Sequence, residues 1–176
     1  MEWMILPLRK YFQFSGRSRR KEYWMWTLFV FVMGFVLGFV DTMLGLGGDA
    51  APVANEPPAT AIYNALISGG ILSNIFTVLT IIPGIAVSVR RLHDVDRSGW
   101  WLLSWAFPVL IVLALLFSGY GQSAAILVIS GIALLAFAII GLMIFVWDCT
   151  DGTHGPNRFG EDPKDDGIES LAETFA

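Results

Sequence analysis

No Asp, Glu, Lys, Arg or His occurs in four long stretches of this 176-residue chain, roughly Trp24–Val40, Asn64–Val89, Trp100–Ser118 and Ala124–Trp147. That lack excludes an ordinary soluble domain, whose helices need a polar face beside each apolar stripe. A bilayer core about 30 Å thick is crossed by roughly 20 apolar residues of helix. Thr42, Met43, Leu44 and Leu46 extend the first stretch past Asp41 to the required length. Cysteine is also nearly missing: Cys149 stands alone, which rules out an internal disulfide and a cysteine-based metal cluster. The first stretch lacks a small-x-small cleavage site after it and is too long for a signal peptide, so it is expected to stay as a span. Basic residues, finally, are absent from the connections 41–60 and 119–123.

What is present sorts by position. All eleven Lys and Arg lie before the first span, between the second and third, or after the fourth. Cytoplasmic loops carry the Lys/Arg excess, so an even number of spans with both termini inside accounts for every basic residue. The expected fold is an all-α integral membrane protein of four helices, N-in and C-in, spanning roughly 24–44, 66–89, 100–118 and 124–147. Residues 1–163 form one domain and 164–176 an acidic cytoplasmic tail. The net charge of −4 comes from that end of the chain, where eight acids follow from Asp148 onward against Arg158 and Lys164. No nucleic-acid partner is expected. Trp24, Trp26, Trp100, Trp101 and Trp147 fall at the inner ends of spans, where an indole keeps its N–H in the wet layer. Tyr63 and Tyr120 mark the outer ends.

Met1–Phe14 mixes aromatics with Arg9 and Lys10, and Pro7 interrupts it, which predicts a short interfacial segment. Ser18 is the expected N-cap of the first span, and the Gly- and Pro-rich connection 45–60 is expected to be a flexible external loop. The second span carries Asn64, Ser68, Ser73, Asn74, Thr77 and Thr80, then Pro83-Gly84. Asn74 needs a partner in hydrocarbon, and interhelical hydrogen bonding is the expected answer. Gly34 and Gly38 in the first span form a GxxxG, fit for packing within the bundle or between copies.

Three polar blocks remain outside the spans: Phe14–Trp24, with Arg17, Arg19, Arg20 and Lys21; Arg90–Trp101, opening Arg-Arg-Leu-His-Asp; and Gly152–Pro163, with Asn157-Arg158-Phe159-Gly160. In this order around the spans they resemble the bacterial inner-membrane family of YhaH-like and YhaI-like proteins, domain of unknown function family 805. The Arg-Arg-Leu-His-Asp run followed by Arg97-Ser98-Gly99-Trp100-Trp101 is the most specific part of the match. The resemblance implies a location in the bacterial cytoplasmic membrane and no established activity.

On their own terms, a helix continuing through Arg97 would place Arg90, Asp94 and Arg97 on one face, with the carboxylate between two guanidiniums. His93 would sit about 100° away from Asp94, so the neighbours do not make a catalytic pair. The third block reads as a turn-rich cap, its glycines permitting positive φ. The reading expects no catalytic residue, no metal and no cofactor. Arg90, Arg91, His93, Asp94, Arg97, Arg17, Arg20, Asn157 and Arg158 are the candidate contacts for anionic membrane lipids or a protein partner. A homo-oligomer is compatible with the same residues. The leading function is therefore non-enzymatic. A transporter or channel subunit is the first alternative, though coupled transport usually needs an ionisable group inside the membrane. An enzyme acting on lipid headgroups at the Arg90–Asp94 block is the second.

Overall fold

The computed structural model describes residues 2–47, 69–117 and 123–164. Most of the connection 45–60, the start of the second span through Ser68 with Tyr63 and Asn64, then Ser118, Tyr120 and the tail beyond Lys164 lie outside the described residues. Among the described residues there are five helices, α1 (Glu2–Arg9), α2 (Arg20–Met43), α3 (Ile71–Asp94), α4 (Trp100–Phe117) and α5 (Ala124–Cys149). Among the described residues there is no strand, only an isolated bridge between Asn157 and Gly160. α2, α3 and α5 are long and apolar enough to cross a membrane, and Trp100–Leu115 of α4 is a shorter apolar helix.

Burial is inverted relative to a soluble protein. Phe31, Phe35 and Val78 are 72%, 74% and 66% exposed, whereas Arg90, Arg91, Glu22 and Asp94 are buried. Lipid tails are as apolar as Phe, so these outward side chains gain nothing from leaving the surface. The chain is built as two antiparallel pairs, α2 with α3 and α4 with α5, which touch each other sparsely, chiefly through α5. Trp24 meets Phe145 at 5.9 Å and Trp101 meets Trp147 at 5.1 Å, both edge-on and both at one end of the helices.

That same end gathers α1, the start of α2, the end of α3, the start of α4 and the end of α5. At the opposite end, the α2–α3 connection is set by a carboxylate. Gly45, at φ +65°, turns the chain out of α2. Asp41, 1% exposed, then accepts hydrogen bonds from the leading N–H groups of α3, Leu72 at 3.0 Å and Ser73 at 2.9 Å, and from the Ser73 hydroxyl at 2.6 Å. A helix N-terminus leaves such N–H groups without intrahelical partners, and an anion is the favoured cap. Gly70 is required beside it, because a Cβ there would stand 2.0 Å from the Asp41 carboxyl carbon.

Three expectations change. Asn74 lies in the first turn of α3, not deep in the span, and its amide donates to Gly69 O at 2.8 Å. Its partner is thus its own helix start, and among the described residues it makes no interhelical bond. Ser18 does not cap α2: the cap position is Arg19, without a side-chain cap, and Ser18 is fully buried with its N–H bonded to Arg90 O at 3.0 Å. Gly38 faces Ser73 of α3, while among the described residues nothing lies within 4 Å of a Cβ at Gly34, so there the GxxxG packs through Gly38 alone.

Pro83 stays inside α3 and, lacking an N–H, leaves the carbonyl four residues earlier without its helical donor. Tyr11 supplies it: its hydroxyl donates to Leu79 O at 2.7 Å. Leu79 lies about three turns, ~16 Å, from Arg90 along the helix. The segment after α1 therefore fastens to the middle of α3 as well as to its end.

Candidate functional site

The three polar blocks converge on Asp94, the last residue of α3 and 2% exposed. Arg17 donates from Nε to Oδ1 at 3.0 Å, and Arg91, one turn back on α3, donates from Nη1 to Oδ2 at 2.5 Å. Both guanidiniums are nearly inaccessible, at 1% and 0%. Each spends its remaining donors on backbone carbonyls of the segment at and after the end of α5. Arg17 reaches Gly155 O at 2.7 Å and Thr153 O at 2.5 Å. Arg91 reaches Trp147 O at 3.2 Å, Asp148 O at 3.4 Å and Thr150 O. Arg91 thus caps the C-terminus of α5, where cations are favoured, while Arg17 holds the segment that follows it. The Asp94 carbonyl completes the joint by accepting the Thr153 N–H at 2.9 Å. Contact is so close that a Cβ on Gly152 would lie 2.1 Å from Asp94 Oδ2.

Arg90 points away from Asp94. Its Nη1 sits 3.0 Å from Glu22 Oε1, an ion pair in distance whose angles leave both atoms, and Arg90 Nη2, without a hydrogen bond. Its Nε donates to Ala86 O at 3.3 Å. Arg97 is not on the face of α3 at all. The helix ends at Asp94, Asp96 takes a positive φ of 55°, and Arg97 is carried onto the Trp147 ring, 5.0 Å from its centroid. The expected Arg90–Asp94–Arg97 row is thus replaced by Arg17–Asp94–Arg91, because the helix stops before a third arginine could align.

His93 stacks on Phe159 at 3.9 Å and its Nδ1 lies 3.1 Å from Gly16 O. Asn157 donates to His93 O at 2.9 Å and to the Thr153 hydroxyl at 3.0 Å, and accepts the Phe159 N–H at 2.9 Å. The third block is the turn-rich cap expected, with Gly155 at φ +73° and Gly160 at +142°. Asp162 fixes it, accepting from Gly155 N at 3.1 Å and Lys164 N at 2.9 Å. Burial pushes the Asp162 carboxyl up, but these N–H donors and the nearby Arg17 outweigh it and hold the group below the usual carboxylate value. Arg158 and Arg20, like Arg97, are exposed. Arg158 pairs with Asp96 at 3.0 Å, and Arg20 pairs with Asp151 at 2.8 Å and donates to Cys149 O at 2.9 Å.

Sequence reasoning missed Glu22, Asp41, Asp162 and Ser18. The signal for Asp41 was there, since a carboxylate inside an apolar helix needs a named partner. Among the described residues no three His, Cys, Asp or Glu side chains converge as a metal site would require. A cleft of about 700 Å³ opens between α2, α3 and α4 beside Thr27, Thr77, Thr80 and Ser88. All four hydroxyls donate to carbonyls of their own helix, so the cleft presents an apolar wall.

A family described as Protein of unknown function (DUF805) matches residues 11–161, a range that takes in the first two converging blocks and the third as far as Glu161. The chain is 36% identical over 167 residues to Inner membrane protein YhaH of Escherichia coli (strain K12), covering 93% of this chain and 98% of that one. It is 34% identical over 164 residues to Inner membrane protein YhaI of the same strain, covering 93% and 97%. Uncharacterized protein YiiR, also of that strain, is 26% identical over 155 residues, with 88% of each chain covered. No solved structure matches.

Proposed function

The chain belongs to the DUF805 family of bacterial membrane proteins, and from that premise we propose a non-enzymatic protein whose inner face contacts anionic lipid headgroups. In this reading it crosses the cytoplasmic membrane four times with both termini inside. The observation that carries it is the meeting of the three blocks at one end of the helices. Arg17, Asp94 and the Gly152–Pro163 segment are hydrogen-bonded together, so on either side of a bilayer they must share a side. Lys/Arg bias supports the cytoplasm as that side.

The candidate contacts then divide. Arg17, Arg90, Arg91 and Asp94 are buried and engaged internally, and His93 and Asn157 hold the turn against α3. They form the scaffold. Arg20, Arg97 and Arg158 are exposed, and in this reading they are the ones that meet the headgroups. Catalysis is disfavoured because a general acid or base must reach a substrate proton, and the titratable groups at the Asp94 centre are closed off by each other.

The test is purification with native lipid followed by lipid mass spectrometry, with reporter fusions at positions 52, 95, 121 and 170. An anionic lipid retained over neutral ones, with 95 and 170 cytoplasmic and 52 and 121 external, supports the reading. An external reporter at 170, or retention without regard to headgroup charge, overturns it.

A further inference from the structure

Beside the Asp94 centre a second polar joint is closed inside the fold, where the lead-in to α2, α2 itself and α3 meet. Ser18, Glu22 and Arg90 are 0%, 3% and 0% exposed. Ser18 gives its N–H to Arg90 O at 3.0 Å, and Glu22 Oε1 stands 3.0 Å from Arg90 Nη1. Four polar atoms at this joint, Ser18 Oγ, Glu22 Oε1 and both Nη atoms of Arg90, have no hydrogen-bond partner among the described residues. The Asp94 centre is as deeply buried and is built differently. There every guanidinium nitrogen of Arg17 and Arg91 donates to a carboxylate or a carbonyl. A buried charge is tolerated when it is both paired and hydrogen-bonded. Glu22 and Arg90 have the pairing, and their bonds must come from something else.

Space and charge limit what that can be. Trp26, Ala86, Val87 and Leu92, on the same stretches of α2 and α3, are all buried, and α1 packs over both helices with Pro7 fully enclosed. A lipid headgroup has no way in. An ion would shut a net charge inside, because Glu22 and Arg90 already balance each other. The free groups are also of both kinds: guanidinium N–H donors, a carboxylate acceptor and a hydroxyl that can act either way. Water fits all of these conditions. It is small and neutral, both donates and accepts, and when buried makes about three hydrogen bonds to groups that would otherwise go unsatisfied.

We propose that the junction of α2 and α3 encloses ordered water, held by Arg90 Nη1 and Nη2, Glu22 Oε1 and Ser18 Oγ. The two consecutive arginines then do different work. Arg91 fastens α3 to α5 by direct bonds, and Arg90 fastens α3 to α2 through water. This site goes beyond the inner-leaflet reading and does not rest on it.

X-ray radiolysis of the full chain in nanodiscs tests it. Hydroxyl radicals formed from enclosed water oxidise the side chains beside it, and mass spectrometry reads the products. Trp26, one turn beyond Glu22 on the same face of α2, is the reporter. Trp105 is the comparison: both rings line the apolar cleft, yet Trp105 is 40% exposed and Trp26 only 3%. Radicals arriving from outside would therefore favour Trp105. Enclosed water should instead make Trp26 oxidise several-fold faster than Trp105. Glu22→Met with Arg90→Met, which keeps the side chains' bulk and removes their polar atoms, should bring Trp26 down to the Trp105 rate while exposed Trp100 is oxidised as in the parent. Ser18→Ala leaves the ion pair in place and should lower the Trp26 rate part of the way, which serves where the double variant does not fold. Trp26 oxidised no faster than Trp105 in the parent overturns the site, and so does a parent-like Trp26 rate in the variants that fold. A Trp26 rate that falls when gluconate buffer is exchanged for chloride would put an anion at the joint and overturn the water.

Discussion

Asp94→Asn removes the one carboxylate that two buried guanidiniums share while keeping the side chain's shape. An amide is neutral and offers a single acceptor oxygen, so both Arg17 and Arg91 lose their shared counter-charge and one of them also meets an N–H₂ donor. Removing one partner of a buried pair costs about 3–5 kcal/mol. Backbone carbonyls still receive part of both guanidiniums, Gly155 and Thr153 for Arg17 and Trp147, Asp148 and Thr150 for Arg91. Asp162, 4.0 Å from Arg17, adds a more distant charge. The lower end, about 3 kcal/mol, is therefore expected, or roughly a hundredfold rise in the opened population.

Trypsin reads that population directly, because cleavage after a buried residue follows the open fraction when reclosing is fast. Arg17 and Ser18 are both buried, so the bond between them is protected only while the joint is closed. In inside-out membrane vesicles, cleavage after Arg17 should rise about a hundredfold in Asp94→Asn. Arg91→Gln should raise it less, by about tenfold, since Asp94 keeps Arg17. Exposed Arg9 is cut alike in all three chains. Parent-like protection in Asp94→Asn would mean that carbonyls alone hold the arginines, and the electrostatic account of the joint would be wrong.

At the other end of the bundle, Asp41→Asn should cost about 1 kcal/mol through loss of the α3 cap. Gly70→Ala should cost more, because its Cβ overlaps the Asp41 carboxyl at 2.0 Å; detergent thermal-stability curves that rank the two in reverse would refute the cap. The Asp162 carboxyl is held below its ordinary value, so its contribution is fully present above the unfolded carboxylate pKa and lost as pH falls through the folded one. Protease protection of the Gly152–Pro163 turn should then stay flat from pH 8 down to the carboxylate range and fall only below it; a loss between pH 7 and 5 would point to a histidine instead.

How much of this was legible depended on distance along the chain. The apolar stretches needed only composition and length: α4 at Trp100–Phe117 and α5 at Ala124–Cys149 lie on the stretches 100–118 and 124–147, whereas α3 runs on to Asp94, past the expected 89. The third block's turn character was equally local, written in its glycines and in Asn157. Asp94 was legible as a centre but its partners were not. Helical arithmetic assumed that α3 ran on through Arg97, and nothing local announced the stop at Asp94 or the positive φ at Asp96. Arg17 lies 77 positions away and Thr153 a further 59 beyond Asp94, so no period links them.

The same distances explain why these residues are buried. Two helix pairs in lipid have no hydrophobic force drawing them together, and α2–α3 touches α4–α5 sparsely. Something else has to fasten them at the water-facing end, and charge-assisted bonds to carbonyls that end α5 do so at fixed geometry. A motif that looks on paper like a cluster of free arginines is in the fold a fastening.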